Sequence, residues 1–240
     1  AFEVSEKKDE VHYAFSKLLY TFAKSGVPAY ADWNAKKAAA EASAAYALNP
    51  MPLYLQHMAL CNYLDGDYQK ALEGFEAVGK TAFATAETFY RASKCVEAMG
   101  GDTLRRIALL DSTIVRLPKP ISPRNAGYVM ERANLYYELG EYRKAVENYN
   151  IYENIMGANN LTERFYALRS QVELEARMFQ QALDDILFAI RRNPTHYFYQ
   201  QECARIYLVV GQYENAVAYA QKSLELYPDN PEAHRLLAFA

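Results

Sequence analysis

Four histidines are spread through the 240 residues, as His12, His57, His196 and His234. None has an i, i+4 partner of the kind that pairs metal ligands on a helix, and the zinc-protease pattern HExxH is absent. "MGG" at 99–101 lacks the preceding strand and the following Lys-Ser/Thr of a phosphate-binding loop, and no G-x-S-x-G elbow occurs. The acidic pair Asp184–Asp185 reads as the solvated side of a helix. Three cysteines remain, Cys61, Cys95 and Cys203. Cys61 and Cys95 fall one structural repeat apart, and equivalent residues of stacked helices sit about 8–10 Å apart, whereas a disulfide needs Cα atoms within about 7 Å. The thiols are expected to be small buried hydrophobes. With no nucleophile–base pair and no ligand cluster, the chain is expected to be neither an enzyme nor a holder of metal or cofactor.

The surrounding sequence is that of an ordered protein. Hydrophobic residues make up 51% and charged residues 23%, which excludes disordered and fibrous classes. The formal charge is −3 with both signs interspersed, so the electrostatic footprint of a nucleic-acid or polybasic membrane binder is missing. The longest apolar run is about "IYLVV" (206–210), far short of the roughly 18 residues that span a bilayer. The opening "AFEVSEKKDE" has neither Met nor a signal pattern; a removed leader or an excised piece of a longer protein would each produce it. Cytoplasm, periplasm and extracellular space all stay open.

What could position side chains here is a repeated phrase. "LDGDYQKALEGF" (64–75), "LGEYRKAVENY" (139–149) and "VGQYENAVAYA" (210–220) share one layout. Gly66, Gly100, Gly140, Arg177 and Gly211 mark the ends of successive first helices, and such a period signals stacked repeats. Taking that residue as position fifteen, position eight is always small: Ala59, Ser93, Ala133, Ser170, Ala204 and Ala238. Two residues after the glycine come Tyr68, Tyr142, Phe179 and Tyr213. Position twenty holds Ala71, Ala145, Ala182 and Ala216, where a second helix crosses the first. Pro50, Pro194 and Pro228 end second helices, since proline lacks the N–H and its ring blocks the next turn. Between these marks the apolar spacing is i, i+3, i+4, i+7, which is helical.

These classes of position resemble the tetratricopeptide repeat (TPR) family over nearly the whole chain. The resemblance implies an all-α, right-handed superhelical solenoid of antiparallel helix pairs, a single array over 1–240. Its units fall at 52–85, 86–119, 126–159, 163–196 and 197–230. A longer first unit covers 10–51, with 40–50 as its second helix, and a partial unit opens at 231–240. Unit 86–119 is irregular, with Arg105 at the alanine position. Beyond it "RLPKPISPRNAG" (116–127) carries three prolines, where a bend or a long loop is expected.

The resemblance also implies that first helices line an inner groove through positions two, five, nine, twelve and thirteen. Candidate partner-binding residues are Gln56, Leu60 and Tyr63, then Tyr90 and Lys94, then Met130, Asn134 and Tyr137. Arg164, Gln171, Gln201 and Arg205 complete the set. Aromatics, amides and isolated charges of both signs suit a peptide partner; the same Tyr and Leu could equally fill the groove's floor or pack against the N-terminal segment. The clamp with which some family members grip a C-terminal carboxylate is absent: Asn134 occupies one of its positions, but Met130, Leu168, Phe198 and Glu202 occupy others. The expected function is a non-catalytic scaffold or adaptor that binds a protein or peptide. The alternative is a sensory or regulatory segment of a larger protein. No nucleic-acid partner and no membrane insertion are expected. "HRLLAFA" (234–240), with Leu236, Leu237 and Phe239, suggests an apolar edge that a further helix or a second copy would cover.

Overall fold

Proline at a helix start and glycine just past its end punctuate this chain, and the computed structural model, which describes residues 6–25 and 28–240, follows that punctuation. The first five residues, on which the reading of a leader rests, lie outside the described residues. Thirteen α-helices and two 3-10 turns, with no strand, make up the described residues. A first pair, α1 (Lys8–Lys24) and α2 (Pro28–Leu48), precedes α3 (Pro52–Asp65) and α4 (Tyr68–Gly79). Next come α5 (Ala86–Ala98) and α6 (Thr103–Val115), then α7 (Gly127–Glu138) and α8 (Tyr142–Met156). The pairs α9 (Glu163–Glu175) with α10 (Phe179–Arg192) and α11 (Tyr197–Val209) with α12 (Tyr213–Leu226) follow, and α13 (Pro231–Phe239) is last. The second helix expected at 40–50 is only the end of α2. Its alanine-rich sequence has the propensity to carry the helix back to residue 28.

The chain divides into two compact units, one ending at Pro118 and the other beginning at Lys119. The boundary falls inside the proline-bearing segment 116–127.

Within each unit the repeat marks carry out their packing role. Ala59, Ala71, Ala133, Ala145, Ala182, Ala204 and Ala216 are fully buried. At the α3–α4 crossing the backbones come so close that a Cβ on Gly74 would lie 2.8 Å from the Ala59 Cβ. Position fifteen is left-handed at Gly66, Gly100, Gly140 and Gly211, and Arg177 adopts it too, at φ 60°. The irregular α6 keeps Arg105 outside, ion-paired with Glu76. Its buried face runs through Ile107, Leu110, Thr113 and Ile114 instead, so the alanine position of its neighbours has no counterpart at residue 105.

The cores differ. In the first unit, small residues of α2 (Ala38, Ala39, Ala42) meet Leu19 and Cys61, and a second cluster centres on Leu72, Phe75 and Val96. In the second unit one cluster joins Tyr149, Phe165, Tyr166, Leu183, Ile186, Tyr199 and Ile206. Leu236 of α13 is buried against Ala204 and Ala220, whereas Phe239 stays exposed. Leu236 is therefore covered within the chain, contrary to the exposed edge expected of all three apolar residues there.

Candidate partner-binding face

In the first unit the candidate residues of α3 and α5 are largely engaged with neighbouring side chains. Gln56 accepts a hydrogen bond from the Thr88 hydroxyl at 3.0 Å. Leu60 and Tyr63 pack on the core, and Tyr63 also meets Tyr68 edge-on and carries the Arg91 guanidinium over its ring at 5.4 Å. The Lys94 ammonium lies over Tyr90 and bonds Glu97 at 2.8 Å. This half of the set is a self-satisfied surface of alternating rings and charges.

In the second unit the set is more open. Met130 packs on the core, and Asn134 accepts from the Tyr149 hydroxyl at 2.8 Å. Arg164, Gln171, Gln201, Arg205 and Tyr137 line two depressions on the side presented by α7, α9, α11 and α13. One, of about 230 Å³, lies between α9 and α11. Ala167, Leu168 and Phe198 wall it, with Arg164, Gln171, His196 and Tyr199 around them. The other, of about 350 Å³, is polar and lined by Tyr137, Gln171, Glu175, Gln201, Glu202, Arg205, Glu232 and Arg235. Gln171 borders both. Gln201 is held by the Asn230 amide at 2.9 Å, the same Asn230 that caps α13 through the Glu232 and Ala233 amides.

Repeat-position reasoning did not select His196, Tyr199, Glu232 and Arg235 as groove residues. Glu232 and Arg235 follow the same rule, standing at positions two and five of the partial unit, so the signal was present. His196 lies in the turn before α11 and Tyr199 at position three, where no first-helix rule looks.

Two buried polar clusters lie away from this face. In the first, Ser16 donates to the Ala38 carbonyl at 2.7 Å, while His57 Nε2 lies 2.9 Å and the Cys61 sulfur 3.5 Å from the same hydroxyl. Cys61 is four residues from His57 and touches it, so the expectation that no histidine has an i, i+4 partner held only for a second histidine. Burial pushes the imidazole down to about 4 and the thiol up to about 11. Both are neutral at pH 7, and no thiolate–imidazolium pair forms. Cys95 and Cys203 are likewise free and buried, each pushed up to about 12 by burial.

The second cluster overturns the reading of Asp185. The Arg169 guanidinium, buried on α9, grips Asp185 with two bonds of 2.6 and 3.0 Å and reaches Asn150 at 2.9 Å and Glu153. Asp185 is 9% exposed, and only Asp184 remains on the solvated side. Glu173 stands 3.7 Å from Arg169, and one of its oxygens has no hydrogen-bond partner among the described residues. Burial first, and then the Asp185 charge, push its carboxyl up to about 8. The periodicity error has a plain cause: residue 185 lies on the core side of α10, one turn before Ala189, and an arginine rather than water meets it.

Helix pairs closed by left-handed turns and crossed at alanines define the class, an all-α helical-repeat protein. The tetratricopeptide repeat model matches residues 198–240, which span α11, α12 and α13. No curated protein matches the chain by sequence. Among solved structures it is similar to YrrB, a TPR protein with an unusual peptide-binding site. That likeness has a TM-score of 0.61 and 12% identity, over 81% of this chain and 96% of the other. The C-terminal part of a TPR repeat-containing protein from Cytophaga hutchinsonii gives 0.58 and 15%, over 89% and 78%. MamA from Desulfovibrio magneticus gives 0.53 and 13%, over 75% and 97%. At these identities the likeness is one of fold.

Proposed function

We propose that the chain is a non-catalytic interaction module that binds a segment of another protein on the side presented by its first helices, with the second unit as the principal site. The observation that carries this reading is the pair of adjoining depressions that share Gln171, one walled by Leu168 and Phe198 and the other by charged side chains. A peptide chain needs both kinds of surface: apolar recesses to bury anchors, and polar groups to orient the backbone. YrrB, similar in fold, is described as having a peptide-binding site, which supports the reading. Tyr137, 45% exposed at the edge of the polar depression, is a ready aromatic contact. Among the described residues no helix is long and apolar enough to cross a membrane.

The test is an unbiased peptide array probed with the whole chain, repeated with Tyr137→Ala and Phe198→Ala. Loss of roughly tenfold or more in affinity from either change is expected if these are anchors. Arg143→Ala, on the opposite side of the α7–α8 pair, should leave binding unchanged. The converse result would move the site to the second helices.

A further inference from the structure

The two depressions of the second unit have opposite electrical character. In the α9–α11 cavity the single cation is Arg164, which is exposed and makes no hydrogen bond or ion pair among the described residues. In the same lining the Tyr199 hydroxyl and His196 Nδ1 are buried without hydrogen-bond partners among the described residues, and Tyr199 is only 3% exposed. Glu163, next to Arg164 in sequence, does not line the cavity. The polar depression holds three carboxylates, Glu175, Glu202 and Glu232, against two guanidiniums. Arg205 bonds Glu202 at 2.8 Å, and Arg235 bonds Glu232 through two nitrogens at 2.6 and 2.8 Å. Glu175 has only a 3.5 Å contact with Arg205 and remains exposed. One negative charge is in surplus there, and one positive charge is uncompensated across Gln171.

We propose that this face selects a peptide of fixed charge order: a large aliphatic or aromatic side chain with Asp or Glu on one side of it and Lys or Arg on the other. The apolar side chain fills the cavity walled by Leu168 and Phe198. Its acidic neighbour pairs with Arg164, and the basic neighbour lies against Glu175, while the Gln171 amide, which has no partner among the described residues, bonds the peptide backbone between them. Opposite charges in register guide encounter and exclude partners of the reverse order, because like charges would then be brought together. This selectivity rests on the groove reading above.

Three synthetic peptide pools separate the two claims. The first carries Leu or Phe between an acid and a base, made in both chain directions. The second replaces the charged residues with Asn and Gln, and the third carries like charges on both sides, all acidic or all basic. The first pool should bind at least tenfold more tightly than the others in low salt, with the difference shrinking as salt rises. Arg164→Glu should weaken the first pool and raise affinity for the all-basic peptides, a gain that misfolding cannot produce. Equal binding of all three pools, with sensitivity to Phe198→Ala retained, overturns the charge selectivity and leaves the groove reading standing. If no peptide binds, in these pools or in the unbiased array, both fall.

Discussion

The two units solve the same problem, burying polar groups between stacked helix pairs, with opposite chemistry. The first places a neutral relay of Ser16, His57 and Cys61 among alanines. The second drives a guanidinium, Arg169, into an aromatic core, with Phe165 and Tyr166 beneath it and three carboxylates around it. A neutral hydrogen bond contributes about 1 kcal/mol net. A buried ion cluster contributes little net and yet is costly to leave half-paired. The lesson is that a repeat's period fixes where helices cross but leaves free what fills the space beside the crossing.

The largest expected effect comes from removing the guanidinium. Arg169→Met should destabilise the second unit by about 3–5 kcal/mol, because Asp185 loses its partner while buried. Ser16→Ala in the first unit should cost only about 1–2 kcal/mol. Denaturant-dependent peroxide oxidation reads the units separately, at Met58 in the first and Met130 in the second. Equal losses would erase the contrast.

Steric contact at a crossing comes next. Gly74→Val should destabilise the first unit by roughly 1–3 kcal/mol, since a Cβ there already meets Ala59 at 2.8 Å. A urea midpoint unchanged from the parent would show that α3 and α4 can separate freely.

The pH dependence should have opposite signs in the two units. His57 is held down to about 4 from its usual 6.5, so the unfolded chain binds the extra proton and the first unit loses stability as pH falls through that window. Glu173 is raised to about 8 from 4.5, so the folded chain holds the extra proton. Stability from this group is complete below about pH 4.5 and is lost as pH rises toward 8. Glu173→Gln should therefore make the second unit more stable at pH 8, by about 1–2 kcal/mol, with little change at pH 4.5. The same methionine probes across pH 4.5–8 would check both signs; parallel profiles would refute the assignment.

The smallest effect expected is a gain. Arg177 occupies the left-handed turn position that glycine fills elsewhere, and relieving its Cβ should stabilise the second unit by about 1 kcal/mol in Arg177→Gly, read as a rise in midpoint.

Much of the frame was legible beforehand because backbone geometry imposes it. Glycine or its substitute must sit where φ is positive, and only a small side chain fits a close crossing, so Gly66, Ala145 and Ala216 announced their places. That Arg164 and Gln171 share one side of α9 was legible too, since helical period sends residues seven apart to the same face. Asp185 was misread because an acid's hydropathy says nothing of a partner sixteen residues away in sequence. Arg105 marked the irregular unit, and α6 there buries a different face, through Ile107, Leu110 and Ile114.

The sequence by itself determined the helices and their pairing, set by local sterics and a period. The tertiary structure alone decided which polar groups are satisfied. It gave Asn134 to Tyr149 and Gln56 to Thr88, left Arg164 without a hydrogen bond or ion pair among the described residues, and buried Asp185 against Arg169. Those outcomes depend on distances between helices. Whether a side chain is spent inside the fold or remains for a partner is settled by a few ångströms that no spacing along the chain encodes.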